Sequence, residues 1–272
     1  MQTFPPGKSF CESAWLFSMS CRHRSSPAAF PVFPSIPVRA FRAAPKGEQR
    51  LNVFDIIGPV MIGPSSSHTA GAVRLGRVAN KLIDSRPLKN VEITLSGSFA
   101  QTYKGHGTDR ALLAGIMGYH SYSPEIRDAL NIARNCGLQF SFVLEDIKGA
   151  HPNTARIHYF LLDGGEGMVE GASVGGGNIM VNQIDGMQVH FTGENNTILV
   201  MHQDKPGVIA AVTQLMHFEY ADLNIASFHL SRENKGGNAI MTIEIDGQPP
   251  EGLVPALRNI QNVSNAILIR RI

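Results

Sequence analysis

The residues best equipped for chemistry cluster in Gly58–Gly71, which reads GPVMIGPSSSHTAG. Two Gly-Pro pairs punctuate the backbone and stop any preceding strand. Ser65, Ser66 and Ser67 then run into His68 and Thr69. A hydroxyl residue just ahead of an apolar-periodic run is a helix N-cap signal. That run follows at Ala72, Leu75, Gly76, Ala79, Leu82 and Ile83, with Arg74, Arg77 and Lys81 on another face. Ser65 to Thr69 are therefore expected at a helix N-terminus, where free N–H groups and the helix dipole favour an anion. One or two hydroxyls satisfy such a cap, and a well-capped surface helix needs no more. The surplus, with an imidazole that titrates near neutrality, points to a pocket for a small carboxylate or phosphate.

Three more stretches carry candidates. KGHGTD offers His106, Thr108 and Asp109, with Gly105 and Gly107 free to take unusual backbone angles. It reads equally well as a turn and helix cap. His151-Pro152-Asn153-Thr154 reads first as a turn, with His151 or Asn153 as side-chain candidates. Gly175-Gly176-Gly177 suits a bulge, or a close backbone approach to a ligand. His158 and His190 sit in strand patterns and read as structural, and Cys136 reads as a small buried hydrophobe.

The elements that must position these residues follow in order. Residues 50–57 read as a short strand or loop, and the Ser-rich helix runs to about Ile83. Val91 to Leu95 reads as a strand, Ser96 to Asp109 as a polar loop, and Arg110 to Met117 as a helix capped by Thr108. A further helix starts after Ser123-Pro124 and runs to Asn135, with Gly137 past its end. Four strands follow, at 139–144, 155–163, 167–174 and 178–185. The fold class is α+β, with mostly antiparallel strands in a domain over 48–192. A polar linker, 193–196, leads to a smaller unit over 197–272. Its order is strand, helix, strand, strand, helix, strand, with the strand at Ala239–Ile245 alternating cleanly. This is the ferredoxin-like βαββαβ pattern.

Composition narrows the classes. The 272 residues are 43% hydrophobic, with a net charge of +2, which allows one large or two modest cores. A nucleic-acid partner is not expected, since no basic run interleaves with aromatics. Nor is a membrane span, which needs about 18 consecutive apolar residues. Cys11, Cys21 and Cys136 are odd in number, scattered, and without metal-cluster spacing. They suit a reducing, cytoplasmic compartment. Residues 1–47 are rich in Pro, Ser and Ala, with five Lys/Arg and no Asp or Glu between Ser13 and Gly47. The expectation there is disorder: a transit peptide or, preferred, translated upstream sequence.

FDIIGPVMIGPSSSHTAGA resembles the opening of the beta subunit of iron–sulfur-dependent L-serine dehydratase, which deaminates L-serine to pyruvate and ammonia. KGHGTD, HPNTARIH and SVGGGNI resemble that family in the same order, so the likeness runs from about Val53 to the C-terminus. The smaller unit, with D-x-P-G after its first strand, resembles an ACT domain, an amino-acid-sensing module that also self-associates. Removing water from serine needs a grip on the carboxylate, a base for the α-proton, and help for the hydroxide. Ser65, Ser66, Ser67 and Thr69 meet the first need, with Thr108, Asp109 and Asn153 as further substrate contacts. His68 or His106 meets the second. The resemblance implies that a [4Fe-4S] cluster meets the third, ligated by cysteines of a separate alpha subunit, and that no metal is held by this chain.

Two rivals stand beside this reading. One is pyridoxal-phosphate chemistry, with Lys104 as the Schiff-base lysine and SVGGGN as a phosphate loop; the roughly 140 residues ahead of the smaller unit are too few for that fold. The other is a non-catalytic anion- or amino-acid-binding regulator similar to the allosteric substrate-binding and ACT domains of D-3-phosphoglycerate dehydrogenase.

Overall fold

The computed structural model of the chain describes residues 60–272 apart from residue 221. The expectations for residues 1–47 and 50–57 lie outside the described residues. Ser65 is an extended N-cap whose side chain accepts the N–H of His68, and the chain then winds through one π-helical turn, Ser66–Gly71. That turn runs straight into helix α1, Ala72–Ile83, whose apolar positions are all buried. The predicted Ser-rich helix is thus present, with a wide first turn. It ends where Asp84 and Ser85 adopt left-handed angles, φ 52° and 63°.

Strand β1, Leu88–Leu95, follows. The expected loop after it is in fact a second helix, α2, Gly97–His106. Only Phe99 of α2 is buried, so the sequence carries no apolar stripe to reveal it. Gly107, at φ 72°, closes α2 and caps the next helix, α3, Thr108–Ile116. Gly107, not Thr108, is therefore the N-cap: a left-handed corner between two helices needs a residue without Cβ strain. A 3₁₀ turn, Pro124–Asp128, leads to α4, Ala129–Asn135. Cys136 caps α4 and is exposed, not buried, because the C-cap falls on the solvent side of that helix.

Five further strands complete a six-stranded sheet: β2 Gln139–Leu144, β3 Thr154–Leu161, β4 Glu166–Gly175, β5 Asn178–Ile184 and β6 Met187–Phe191. The order is β2-β1-β3-β4-β5-β6, antiparallel except for the β1–β2 pair. Residues 176–177 turn β4 into β5, with a register shift at Ser173/Gly175 and all three glycines at positive φ. Helices α1 and α3 cover one face of the sheet and share its apolar core.

The remaining chain forms β7 Asn196–Gln203, α5 Val208–Glu219, β8 Ile225–Arg232, β9 Asn238–Ile245, α6 Leu253–Arg258 and β10 Val263–Ile269. Sheet order β10-β7-β9-β8, antiparallel throughout, is the expected ferredoxin-like arrangement. β9 is buried on both faces from Ala239 to Ile243, so its alternation does not mark a solvent side. Met241 and Ile243 face α5 and α6, while Ile240 joins Leu199, Ile267 and Ile269 in the core of the larger sheet. No helix among the described residues is long and apolar enough to cross a membrane.

Helices α1 and α3 meet through glycine. A Cβ on Gly76 would lie 2.9 Å from Gly115 Cα, and one on Gly115 would lie 2.9 Å from Gly76 Cα. Gly76→Ala and Gly115→Ala are each expected to cost roughly 1–3 kcal/mol through overpacking, read as a lower denaturant midpoint. Gly105→Ala, whose added methyl meets open space, should hold or slightly raise the midpoint. Equal midpoints for all three variants would contradict this packing.

Candidate active site

The α1–α3 crossing brings two histidines together from different elements. His68 sits in the π-turn ahead of α1, and His106 is the last residue of α2, at the corner made by Gly107. Their ring centroids are 4.7 Å apart, edge to face, and the Phe99 ring packs on His68 at 5.2 Å. Serine oxygens flank the His68 ring: Ser65 Oγ lies 3.3 Å from Nδ1 and Ser98 Oγ 3.2 Å from Nε2. His68 is 9% exposed. Burial first, and the neighbouring His106 second, hold its pKa below the ordinary 6.5, against a smaller opposing contribution from the Ser98 backbone. At neutral pH it is therefore an uncharged imidazole, the form that accepts a proton.

In the elements that carry this pair, and in β4 beneath the π-turn, lie buried polar atoms without hydrogen-bond partners among the described residues: Thr69 Oγ1, His106 Nδ1, Thr108 Oγ1 and Ser173 Oγ. Such atoms are costly and rare in folded proteins, and their concentration marks a functional region. Asp109 is buried, which pushes its carboxyl above the usual range, although the Arg110 N–H donates to Oδ1 at 2.8 Å. A cleft of about 520 Å³ opens beside His106, walled by Thr69, Gly105, Gly107, Ile62, Arg110 and Arg127, among others. Neither arginine forms an ion pair among the described residues.

The structure thus brings His68, His106 and Thr69 together, with Ser65 on the His68 ring and Thr108 and Asp109 opening α3 beside them. Ser66 and Ser67 are half-buried in the π-turn and, like Ser65, lie outside the walls of the cleft. Asn153 is set apart on the loop before β3, donating from Nδ2 to the Ser173 carbonyl at 3.3 Å; its own N–H donates to His151 Nδ1 at 3.1 Å. Sequence reasoning missed Ser98, Ser173, Arg110 and Arg127. Ser98 fell in a stretch read as loop, and no local pattern marks a serine thirty residues away as a histidine partner. Lys104 is exposed, over the Tyr103 ring, while the glycine turn is tied to α1 by Arg74, which donates to the Gly177 carbonyl at 2.8 Å. Among the described residues no three His, Cys, Asp or Glu side chains converge to hold a metal, and the one cysteine is exposed. This part of the chain does not fit the ligand set of an iron–sulfur cluster.

With the site in view, the relatives are informative. A family model described as serine dehydratase beta chain matches residues 52–139. The probable L-serine dehydratase beta chain of Bacillus subtilis (strain 168) is 41% identical over 212 residues, 78% of this chain and 94% of that one. The L-serine dehydratase beta chain of Peptoniphilus asaccharolyticus is 37% identical over 217 residues, 79% of this chain and 96% of that one. A D-3-phosphoglycerate dehydrogenase of Methanocaldococcus jannaschii is 25% identical over 234 residues, 82% of this chain but 42% of that one. The chain belongs to the serine dehydratase beta chain family.

The His68 environment has a pH signature. Its folded pKa lies below the unfolded 6.5, so its stabilising contribution is complete above 6.5 and is lost as pH falls toward the folded value. Between pH 7.5 and 5.5, His68→Gln should show a shallower loss of unfolding free energy than the wild type. Parallel profiles in a denaturant titration would rule out that assignment.

Proposed function

We propose that this chain is the beta subunit of an L-serine ammonia-lyase, converting L-serine to pyruvate and ammonia, and that it completes an active site with an alpha subunit. The observation that carries the reading is the buried His68 imidazole edge-on to His106, beside a cleft walled by His106, Arg110 and Arg127. One imidazole is the base for the α-proton. Ser65, Ser66 and Ser67, with Thr69, Thr108, Asp109 and Asn153, hold and orient the amino acid. The iron–sulfur cluster expected of the family is assigned to cysteines of the alpha chain, where it would supply the Lewis acid that helps the hydroxide leave. The boundaries 48–192 and 197–272 are proposed for the catalytic and ACT-like units. The ACT-like unit is proposed to mediate self-association, and a cytoplasmic location fits an oxygen-sensitive partner.

The regulatory alternative rests on the weaker likeness to D-3-phosphoglycerate dehydrogenases, and the histidine pair favours catalysis over it. Anaerobic mixing with the alpha subunit and L-serine should yield pyruvate. His68→Ala and His106→Ala should each cut kcat by about 10²–10⁴-fold, the usual worth of a general acid or base. Activity surviving the double variant would leave the chain a regulator.

A further inference from the structure

We infer that Ser98 is a positioning residue that, with Ser65, keeps the His68 ring hydrogen-bonded at both nitrogens through a complete proton-transfer cycle. The inference rests on the reading of His68 as part of a serine-deaminating site. Its basis is the pair of hydroxyls on opposite edges of one imidazole, at 3.3 Å from Nδ1 and 3.2 Å from Nε2. A neutral imidazole has one donor and one acceptor nitrogen, whereas an imidazolium has two donors. A serine hydroxyl serves either state by rotating its O–H. In the neutral ring one serine donates to the bare nitrogen and the other accepts the ring N–H. The substrate's proton arrives through the hydroxyl that donates to the bare nitrogen: that hydroxyl passes its own proton to the ring and takes the substrate's, after which both oxygens accept. No heavy atom has to move, so reorganisation during the step is small.

The placement of Ser98 is built into the fold from three sides. On one side Ser96 donates its N–H to the Thr154 carbonyl at 3.0 Å, while its hydroxyl accepts the Ile147 N–H at 2.9 Å. On the second, Phe99 donates its N–H to the Pro152 carbonyl at 3.2 Å and buries its ring against His68. On the third, Gly97, at φ 56°, sits so close to Pro152 that a Cβ would lie 2.6 Å from the Pro152 oxygen. Only glycine tolerates that combination of angle and contact. The His-Pro-Asn-Thr stretch thereby gains a role: it is the seat on which the first turn of α2 rests, and it aims Ser98 at Nε2. The titratable neighbour of His68 is His106, also from α2.

Losing Ser98 removes the partner of Nε2 and frees the ring to rotate between Phe99 and His106. In the anaerobically assembled enzyme, Ser98→Ala should lower kcat about tenfold or more, a cost typical of a misoriented catalytic group, with KM for L-serine little changed. The acid limb of kcat/KM should move to lower pH, because the imidazolium loses the hydroxyl oxygen that accepts its Nε2–H. Ser98→Thr, which keeps the hydroxyl, should restore most of kcat. A second readout needs no activity: ¹⁵N histidine spectra of the full chain, assigned with His68→Gln, should show one dominant His68 tautomer in the wild type and an averaged pair in Ser98→Ala. An unchanged tautomer signal and unchanged pH limb in Ser98→Ala would overturn the inference, as would failure of threonine to rescue a correctly folded variant. Should the wild-type assembly make no pyruvate, the dehydratase reading falls, and the spectra alone still decide whether Ser98 holds the ring.

Discussion

Everything at the candidate site depends on how closely two helix backbones approach. Gly76 on α1 and Gly115 on α3 remove the side chains that would hold those helices apart. The π-turn feeds α1 and the Gly107 corner feeds α3, so the crossing sets the distance between His68 and His106. Rigid elements, not a flexible loop, therefore carry both imidazoles. That is the arrangement expected where geometry has to be kept within a few tenths of an ångström. The glycine at position 71 extends the same logic downward: it lets the π-turn lie directly on Ser173 of β4.

The site is also electrostatically consistent. Burial and a like-charged neighbour both favour a neutral His68, while the surrounding hydroxyls supply hydrogen bonds that do not fix its protonation state. A charged acceptor such as a carboxylate on Nδ1 would instead pull the ring toward the imidazolium form. Positive charge sits at the cleft wall, on Arg110 and Arg127. On the proposed reading the chain supplies polar orientation and a proton acceptor; among its described residues no three His, Cys, Asp or Glu side chains converge. This division of labour agrees with a beta chain that works against a partner's surface.

Much of this was legible in the sequence, for identifiable reasons. The Ser-rich N-cap before an apolar-periodic run predicted a helix that ends at about Ile83, though not that its first turn is π-helical. The ferredoxin-like unit was readable from the helical period of Val208, Val212, Leu215 and Met216, the alternation of Ala239–Ile245 and the turn residues between its elements. Helix α2 was not, since ten residues with a single buried side chain present no stripe to detect. Its loss hid Ser98 and misplaced the cap from Gly107 to Thr108. Cys136 was misjudged because burial of a cysteine is a tendency of the residue type, while exposure at a helix C-cap is set by tertiary position. The double burial of β9 was hidden for the same reason: alternation describes one sheet, and what covers its second face lies elsewhere in the chain.

The central claim is that the histidine pair faces a surface that a second chain covers. Its most direct test is the rate at which diethyl pyrocarbonate modifies each histidine, read by peptide mass spectrometry. The lone chain is compared with the anaerobic complex in the presence of L-serine. Exposed His217 and His229 serve as internal references. The account predicts that His106 is modified in the lone chain and strongly protected in the complex, while the references change little. An equal rate for His106 in both states would place the pair away from the partner and contradict the account.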